Sequence, residues 1–128
     1  MNTEQKTTLL AKVGSASEDW KNAFNQGNSA GCANQYTANA TMHARPFGTF
    51  NGTEAIKQFW QNLIDEGFAE VEYVNPAFNV IDEKSVIVES HWKMNKASGV
   101  IHKELWVMQE DGNFKLEEDD FEVLESDG

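Results

Sequence analysis

The chain has 128 residues, 40% of them hydrophobic and 11% aromatic, with 10 basic against 21 acidic side chains and a net charge of −11. That length corresponds to a single domain over residues 1–128, with enough chain for a core and a cavity. Much of the acidic excess sits in EEDDFEVLESD near the C-terminus, and with no basic stripe to hold phosphates it argues against nucleic acid and anionic membranes as partners.

No stretch approaches a membrane span. The opening MNTEQKTTLL lacks the basic-then-apolar pattern of a secretion signal, so the expected location is the cytoplasm. Cys32 is the single cysteine; it excludes an intrachain disulfide and a cysteine-based zinc site, and reads as a small buried side chain on a helix.

In chain order, Leu9, Leu10, Val13, Ala16, Trp20, Ala23 and Phe24 recur at three- and four-residue steps. This predicts one long amphipathic helix ending near Gly27. Asn28 or Ser29 caps a short second helix through about Tyr36. NATMHA reads as a strand and RPFGTFNG as a loop, punctuated by Pro46, Gly48 and Gly52. Thr53 caps a third helix, with Ile56, Phe59, Trp60, Leu63 and Ile64 on one side. From Ala69 the pattern changes to the strands EVEYVNPAFNVI, SVIVESHWKMN, VIHKELWVMQ and FKLEEDDFEVL. Helices first and an antiparallel meander after them make an α+β fold, with the helices on one face of a curved sheet.

Turn chemistry then sets the register. Asp111-Gly112 is a two-residue hairpin signal; pairing Glu110 with Asn113 places Trp106 opposite Glu117, Glu104 opposite Asp119 and His102 opposite Phe121. A bulge in the last strand would bring Asp120 inward instead of Asp119. KASGV reads as a three-residue loop, Ala97-Ser98-Gly99, with positive φ at Gly99, which places Trp92 opposite Glu104 and Met94 opposite His102. A two-residue loop would pair Lys93 with Glu104 and invert the faces. In the first register one face collects Val88, Ser90, Trp92, Met94, His102, Glu104, Trp106, Asp119 and Phe121. His91, Lys93, Ile101, Lys103, Leu105, Val107 and Asp120 share the other. That second, convex face is partly apolar and is the expected homodimer surface.

The order of a helix with Trp20 and AFNQGN, a short helix ending in Tyr36, NATMH, the GTEAI helix start and a closing WVMQEDGNFKL resembles the nuclear-transport-factor-2-like superfamily. That superfamily is the cone-shaped α+β fold of ketosteroid isomerases and SnoaL-like polyketide cyclases, and the likeness covers about residues 5–124. It implies a curved mixed or antiparallel sheet wrapped around the long helix, with two further helices, enclosing a pocket. Ketosteroid isomerases use an Asp base after the first strand, a Tyr on the first helix and a late-strand carboxylic acid kept neutral by its apolar site. Carried over, these fall on Ala44 (or Arg45 if the loop shifts by one), on Trp20 and on Glu104. Trp60 matches a supporting aromatic, and Tyr36 a second Tyr of some members. With no carboxylate at the base position, steroid isomerisation by the family's route is not expected.

Glu104 beside Trp92 and Trp106 loses hydration, and Asp119 across the hairpin raises its pKa further. It is a candidate general acid, or a structural acid tied to His102 or to a Tyr or Trp donor. His102 is the candidate base, or a satisfied structural histidine. Trp20, Tyr36, Met42, Phe59, Trp60, Trp92, Met94, Trp106 and Phe121 line or close the pocket, or are plain core. His102, Glu104 and Asp119 have metal-ligand chemistry but no ligand signature, so neither a metal nor a cofactor is expected. Arg45 either anchors an anionic group at the mouth or is solvated. Two functions follow: an acid–base isomerase, cyclase or hydrolase acting on a small apolar or aromatic cyclic molecule, or a non-catalytic binding module.

Overall fold

A computed structural model describes residues 2–126. Helix α1 (Thr3–Asn25) starts at Asn2, whose side chain accepts from the Gln5 N–H at 2.8 Å while Gln5 Oε1 accepts from the Asn2 N–H at 3.0 Å. This reciprocal capping satisfies two donors that the first turn would otherwise leave unpaired. The helix buries Leu9, Val13, Ala16, Trp20, Ala23 and Phe24 and is terminated by Gly27 at φ +75°. Asn28 caps α2 (Ser29–Ala33) through the Gly31 N–H at 3.0 Å. Because α2 stops at Ala33, Tyr36 does not end a helix; it opens β1 (Tyr36–Arg45).

The stretch read as a loop after β1 is a tight turn into β2 (Gly48–Asn51). Helix α3 (Thr53–Asp65) departs from Gly52 at φ +85°, and Thr53 makes no capping bond. It buries Ile56, Phe59 and Trp60. The four later strands are β3 (Glu72–Asp82), β4 (Ser85–Lys93), β5 (Ala97–Met108) and β6 (Phe114–Ser126). The six strands form one mixed sheet in the order β2-β1-β6-β5-β4-β3, with β1 parallel to β6 and every other pair antiparallel. The architecture is therefore α+β, and the sheet does not close on itself: β2 and β3 are its edges. Helix α1 packs on β3, β4 and β6, and α3 on β1 and β2. No described helix is long and apolar enough to cross a membrane.

Glu104 does pair with Asp119, but by a different route from the one the turn suggested. The hairpin closes through Gln109 and Asn113, with Met108 opposite Phe114 and Trp106 opposite Leu116. Glu117 then bulges, which restores Leu105 to Glu118 and Glu104 to Asp119. A second irregularity lies between Ile101, opposite Phe121, and Lys103, opposite Asp120. A bulge inserts one residue and resets the side-chain alternation beyond it. Ile101 is therefore buried and His102 exposed, the reverse of the expected sides.

The β4–β5 register also differs. Its turn lies at Met94–Ala97, where the Met94 N–H donates to the Ala97 carbonyl at 2.8 Å, so Trp92 faces Gly99 and Val88 faces Glu104. Gly99 supplies no positive φ; it supplies clearance. A Cβ there would sit 2.6 Å from Trp92 Cζ2 and overlap the Glu122 carbonyl oxygen. On the outer face of the sheet, Arg45 grips Asp120 with two bonds of 2.8 and 3.0 Å, Lys103 holds Glu118 at 2.8 Å, and His102 Nε2 lies 2.9 Å from Glu122. With Ile101 turned inward, His91, Leu105 and Val107 are what remains of the apolar set expected on that face.

Two glycine substitutions separate clearance from flexibility. Gly99→Ala must displace Trp92 or the β6 backbone and is expected to cost about 1–3 kcal/mol. Gly14→Ala, in mid-α1 with nothing within 4 Å of the added methyl, should instead stabilise by about 0.5–1 kcal/mol. Urea midpoints of both variants against the parent read the two signs, and a Gly99→Ala protein as stable as the parent would remove the clearance argument.

Candidate functional site

The inner wall of β5 and β6 carries two carboxyls, Glu104 at 6% and Asp119 at 4% exposure, directly across the ladder from one another. Each has one side-chain donor. The Tyr36 hydroxyl donates to Asp119 Oδ2 at 2.7 Å, and the Trp106 indole N–H donates to Glu104 Oε1 at 3.1 Å. Burial pushes the Glu104 carboxyl above its ordinary range and the charge of Asp119 pushes it further, against the Trp106 bond. Asp119 is likewise raised by burial, opposed by the Tyr36 hydroxyl. Tyr36 itself is held well above the usual phenol range by burial and by Asp119. Desolvation disfavours every charged form here, and like charges at one site cannot both be expressed cheaply.

Aromatic rings cover the pair. Trp20 stacks on Phe24 at 5.5 Å and meets Trp60 edge-on at 4.9 Å; Trp60 stacks on Phe121 at 5.5 Å, and Phe121 meets Trp92 at 6.4 Å. Between these rings and the carboxyls lies a cavity of about 60 Å³. Of the residues singled out in the sequence, Trp20, Trp60, Trp92, Met94, Glu104, Asp119 and Phe121 line it. Tyr36 and Trp106 stand behind it, reaching it through the carboxyls they bond. Met42 touches the Tyr36 hydroxyl at 3.8 Å through its sulfur, and Phe59 packs on Trp60 at 5.0 Å. His102 is not brought to this face. Ala44, onto which the resemblance carries the isomerase base, is fully buried opposite Phe121, and Arg45 is committed to Asp120.

Tyr73 is the main residue that the sequence reading passed over. It lines the cavity beside Val71 and also faces Ser17 of α1 across a neighbouring cleft. The alternation of Val71 and Tyr73 in EVEYV was the available signal. Phe47 and Phe68 also line the cavity; both lie outside regular strand alternation, so no periodicity pointed to them. The Cys32 thiol, pushed up to about 12 by burial, is no nucleophile. Among the described residues no set of three His, Cys, Asp or Glu is arranged to hold a metal.

Four buried side-chain polar atoms among the described residues have no hydrogen-bond partner: Nε1 of Trp20, Trp60 and Trp92, and Oδ1 of Asp119. All four belong to residues that line this one cavity. Leaving a buried donor or acceptor unpaired costs about 1–3 kcal/mol each, so their collection in one place calls for a physical reason.

The raised carboxyls fix the sign of a stability–pH relation. With folded-state values above the unfolded ones, the native state binds more protons. The pair's contribution is then fully present below the ordinary carboxyl range and is lost as pH rises toward the raised values. Glu104→Gln should flatten this slope and stabilise the protein at neutral pH. Urea midpoints from about pH 4 to about pH 8 check it; parallel curves for parent and variant would show that Glu104 titrates like a surface acid.

No curated protein matches the chain in sequence. Among solved structures, a ketosteroid isomerase-like protein from Erwinia carotovora atroseptica aligns over 97% of this chain and 98% of its own, at 13% identity and a TM-score of 0.78. A type 2 hexachlorocyclohexane dehydrochlorinase, LinA, aligns over 96% and 90% at 12% identity and 0.79. ActVI-ORFA from Streptomyces coelicolor aligns over 91% and 98% at 15% identity and 0.76. At these identities the likeness is one of fold. The SnoaL-like domain family matches residues 18–113, a span that runs from the helix bearing Trp20 to the β5–β6 turn. That span is well over half of the chain, and the chain belongs to the SnoaL-like domain family.

Proposed function

We propose that the protein is an acid–base enzyme that moves a proton on a small, largely apolar cyclic molecule bearing a carbonyl or hydroxyl oxygen. The observation that carries this reading is that the four unpartnered polar atoms sit on side chains that all line one aromatic cavity. Three are N–H donors suited to ligand oxygens, and the fourth is a carboxylate oxygen suited to a ligand hydrogen. An apolar cavity with a few polar groups in its wall is the usual form of a small-molecule site; at about 60 Å³ this one must widen to admit a ring, and Phe47, the exposed aromatic side chain in its lining, is where it can do so.

Roles within the pair follow from its donors. The short bond from Tyr36 favours the charged form of Asp119, so the negative charge rests there and the proton on Glu104. Asp119 Oδ1 is the base and the Glu104 hydroxyl the acid. In an isomerisation, Asp119 takes a proton from carbon next to a carbonyl and returns it elsewhere, while Glu104 donates a hydrogen bond to the enolate oxygen. In an elimination, Asp119 takes the proton, Glu104 protonates the departing hydroxyl to water, and the collected proton returns from Asp119 to Glu104 across the pair. The base thus stands on β6, which accommodates an alanine at position 44.

The test is protein-dependent deuterium incorporation from D₂O into a panel of cyclic ketones and hydroxyketones, read by NMR. Asp119→Asn should lower the rate by about 10²–10⁴-fold, the usual contribution of one positioned general base. A ligand that raises the melting temperature without exchanging any hydrogen, equally in parent and Asp119→Asn, would favour the binding-module reading that the missing carboxylate at Ala44 supports.

A further inference from the structure

Glu104 has two sides. Besides the aromatic cavity it lines a separate cleft of about 380 Å³, which it shares with Ser17, Glu18 and Lys21 of α1 and Glu72 and Tyr73 of β3. Glu104 and Tyr73 are the two residues common to both spaces. The spaces differ in character: the cavity is walled mainly by aromatic and aliphatic side chains, whereas the cleft sets charged and hydroxyl-bearing side chains beside the apolar Pro76, Phe78 and Val88. Glu18 and Glu72 at its rim are exposed, while Ser17 and Glu104 at its floor are buried.

We propose that this cleft is the proton entrance of the carboxyl pair, so that protons reach and leave Glu104 past Tyr73 and Ser17 and not through the aromatic cavity. The use of such an entrance rests on the acid–base reading: with a ligand filling the cavity, the pair still equilibrates with bulk water from behind. The step needs nothing beyond water. A hydronium ion in the cleft gives its proton to the Glu104 carboxylate and leaves as water; the reverse releases it.

The groups facing Glu104 are consistent with transit and not capture. From α1, Glu18 and Lys21 neutralise each other at 3.1 Å; from the β-edge, Lys93 offsets Glu72 at 3.5 Å. The Tyr73 hydroxyl, beside Ser17 in the cleft and held well above the usual phenol range by burial and by Glu104, stays protonated and can pass a proton only by accepting one as it gives one. On the cavity side stand Asp119 and, through it, Tyr36. Among the described residues no cation lines the floor of the cleft; Lys21 and Lys93 are engaged at its rim.

Carboxyl proton exchange at a raised pKa falls in the μs–ms window of relaxation dispersion, so carbon-13 dispersion on the Glu104 carboxyl at its titration midpoint measures the rate directly and without a substrate. Gly14 lines the cleft and has free space at its Cβ position. Gly14→Leu, which keeps a good helix former in α1, should therefore plug the cleft and slow the exchange by about tenfold or more, followed on the slow side by saturation transfer (CEST). Tyr73→Phe, which removes only the hydroxyl, should slow it as well and guards against a packing artefact in the first variant. Phe47→Ala widens the other entrance, since Phe47 is exposed at the cavity mouth; it should leave the rate unchanged. Exchange that speeds up in Phe47→Ala and ignores Gly14→Leu would assign the traffic to the cavity and overturn the proposal, as would a rate indifferent to all three. Because the readout uses no ligand, the entrance can be confirmed even if the deuterium-incorporation test of the enzyme reading fails, and can fail while that test succeeds.

Discussion

Two carboxyls facing one another inside an apolar wall can carry little more than one charge between them, and much of the interior is arranged around that limit. Removing a carboxylate from water is expensive unless hydrogen bonds replace the lost solvent. Tyr36 provides one such bond to Asp119 and Trp106 one to Glu104. Getting the Tyr36 hydroxyl there requires α2 to stop early, so that residue 36 enters the sheet, and requires β1 to run parallel to β6 with an irregularity between Tyr36 and Thr41. The rings of Trp20, Trp60, Trp92 and Phe121 then seal the apolar side, and clearance at Gly99 lets Trp92 lie close to β5.

Most of the fold could be read from the sequence because it depends on periodicity. Apolar residues at helical spacing placed α1 and α3, and the change to alternation at Ala69 placed the strands. The candidate site was only partly legible, because it depends on irregularities that alternation does not encode. Glu104 opposite Asp119 came out as expected only because two departures cancel: a longer turn at Gln109–Asn113 and a bulge at Glu117. The same strand misled at His102, where an uncompensated bulge exchanged it with Ile101. Gly99 invited a turn reading because glycine serves both turns and close contacts, and nothing local distinguishes the two; the real turn, at Met94–Ala97, carries no glycine.

The acidic run EEDDFE on β6 shows how sidedness turns similar residues to opposite ends. Glu118, Asp120 and Glu122 face outward, and each meets a basic side chain from a neighbouring strand: Lys103, Arg45 and His102. The Arg45 guanidinium holds Asp120 below the ordinary carboxyl range. Asp119, its immediate neighbour, faces inward with no cation, and Asp120's charge adds to the burial that raises it. Two adjacent aspartates of equal intrinsic acidity are thereby driven apart, one to permanent charge and one into the range where a proton can be traded. Environments that separate like groups in this way are how acid and base roles are assigned at neutral pH. Here the separation rests on which way a strand residue points, and so on the bulge at Glu117 that keeps Asp119 inside.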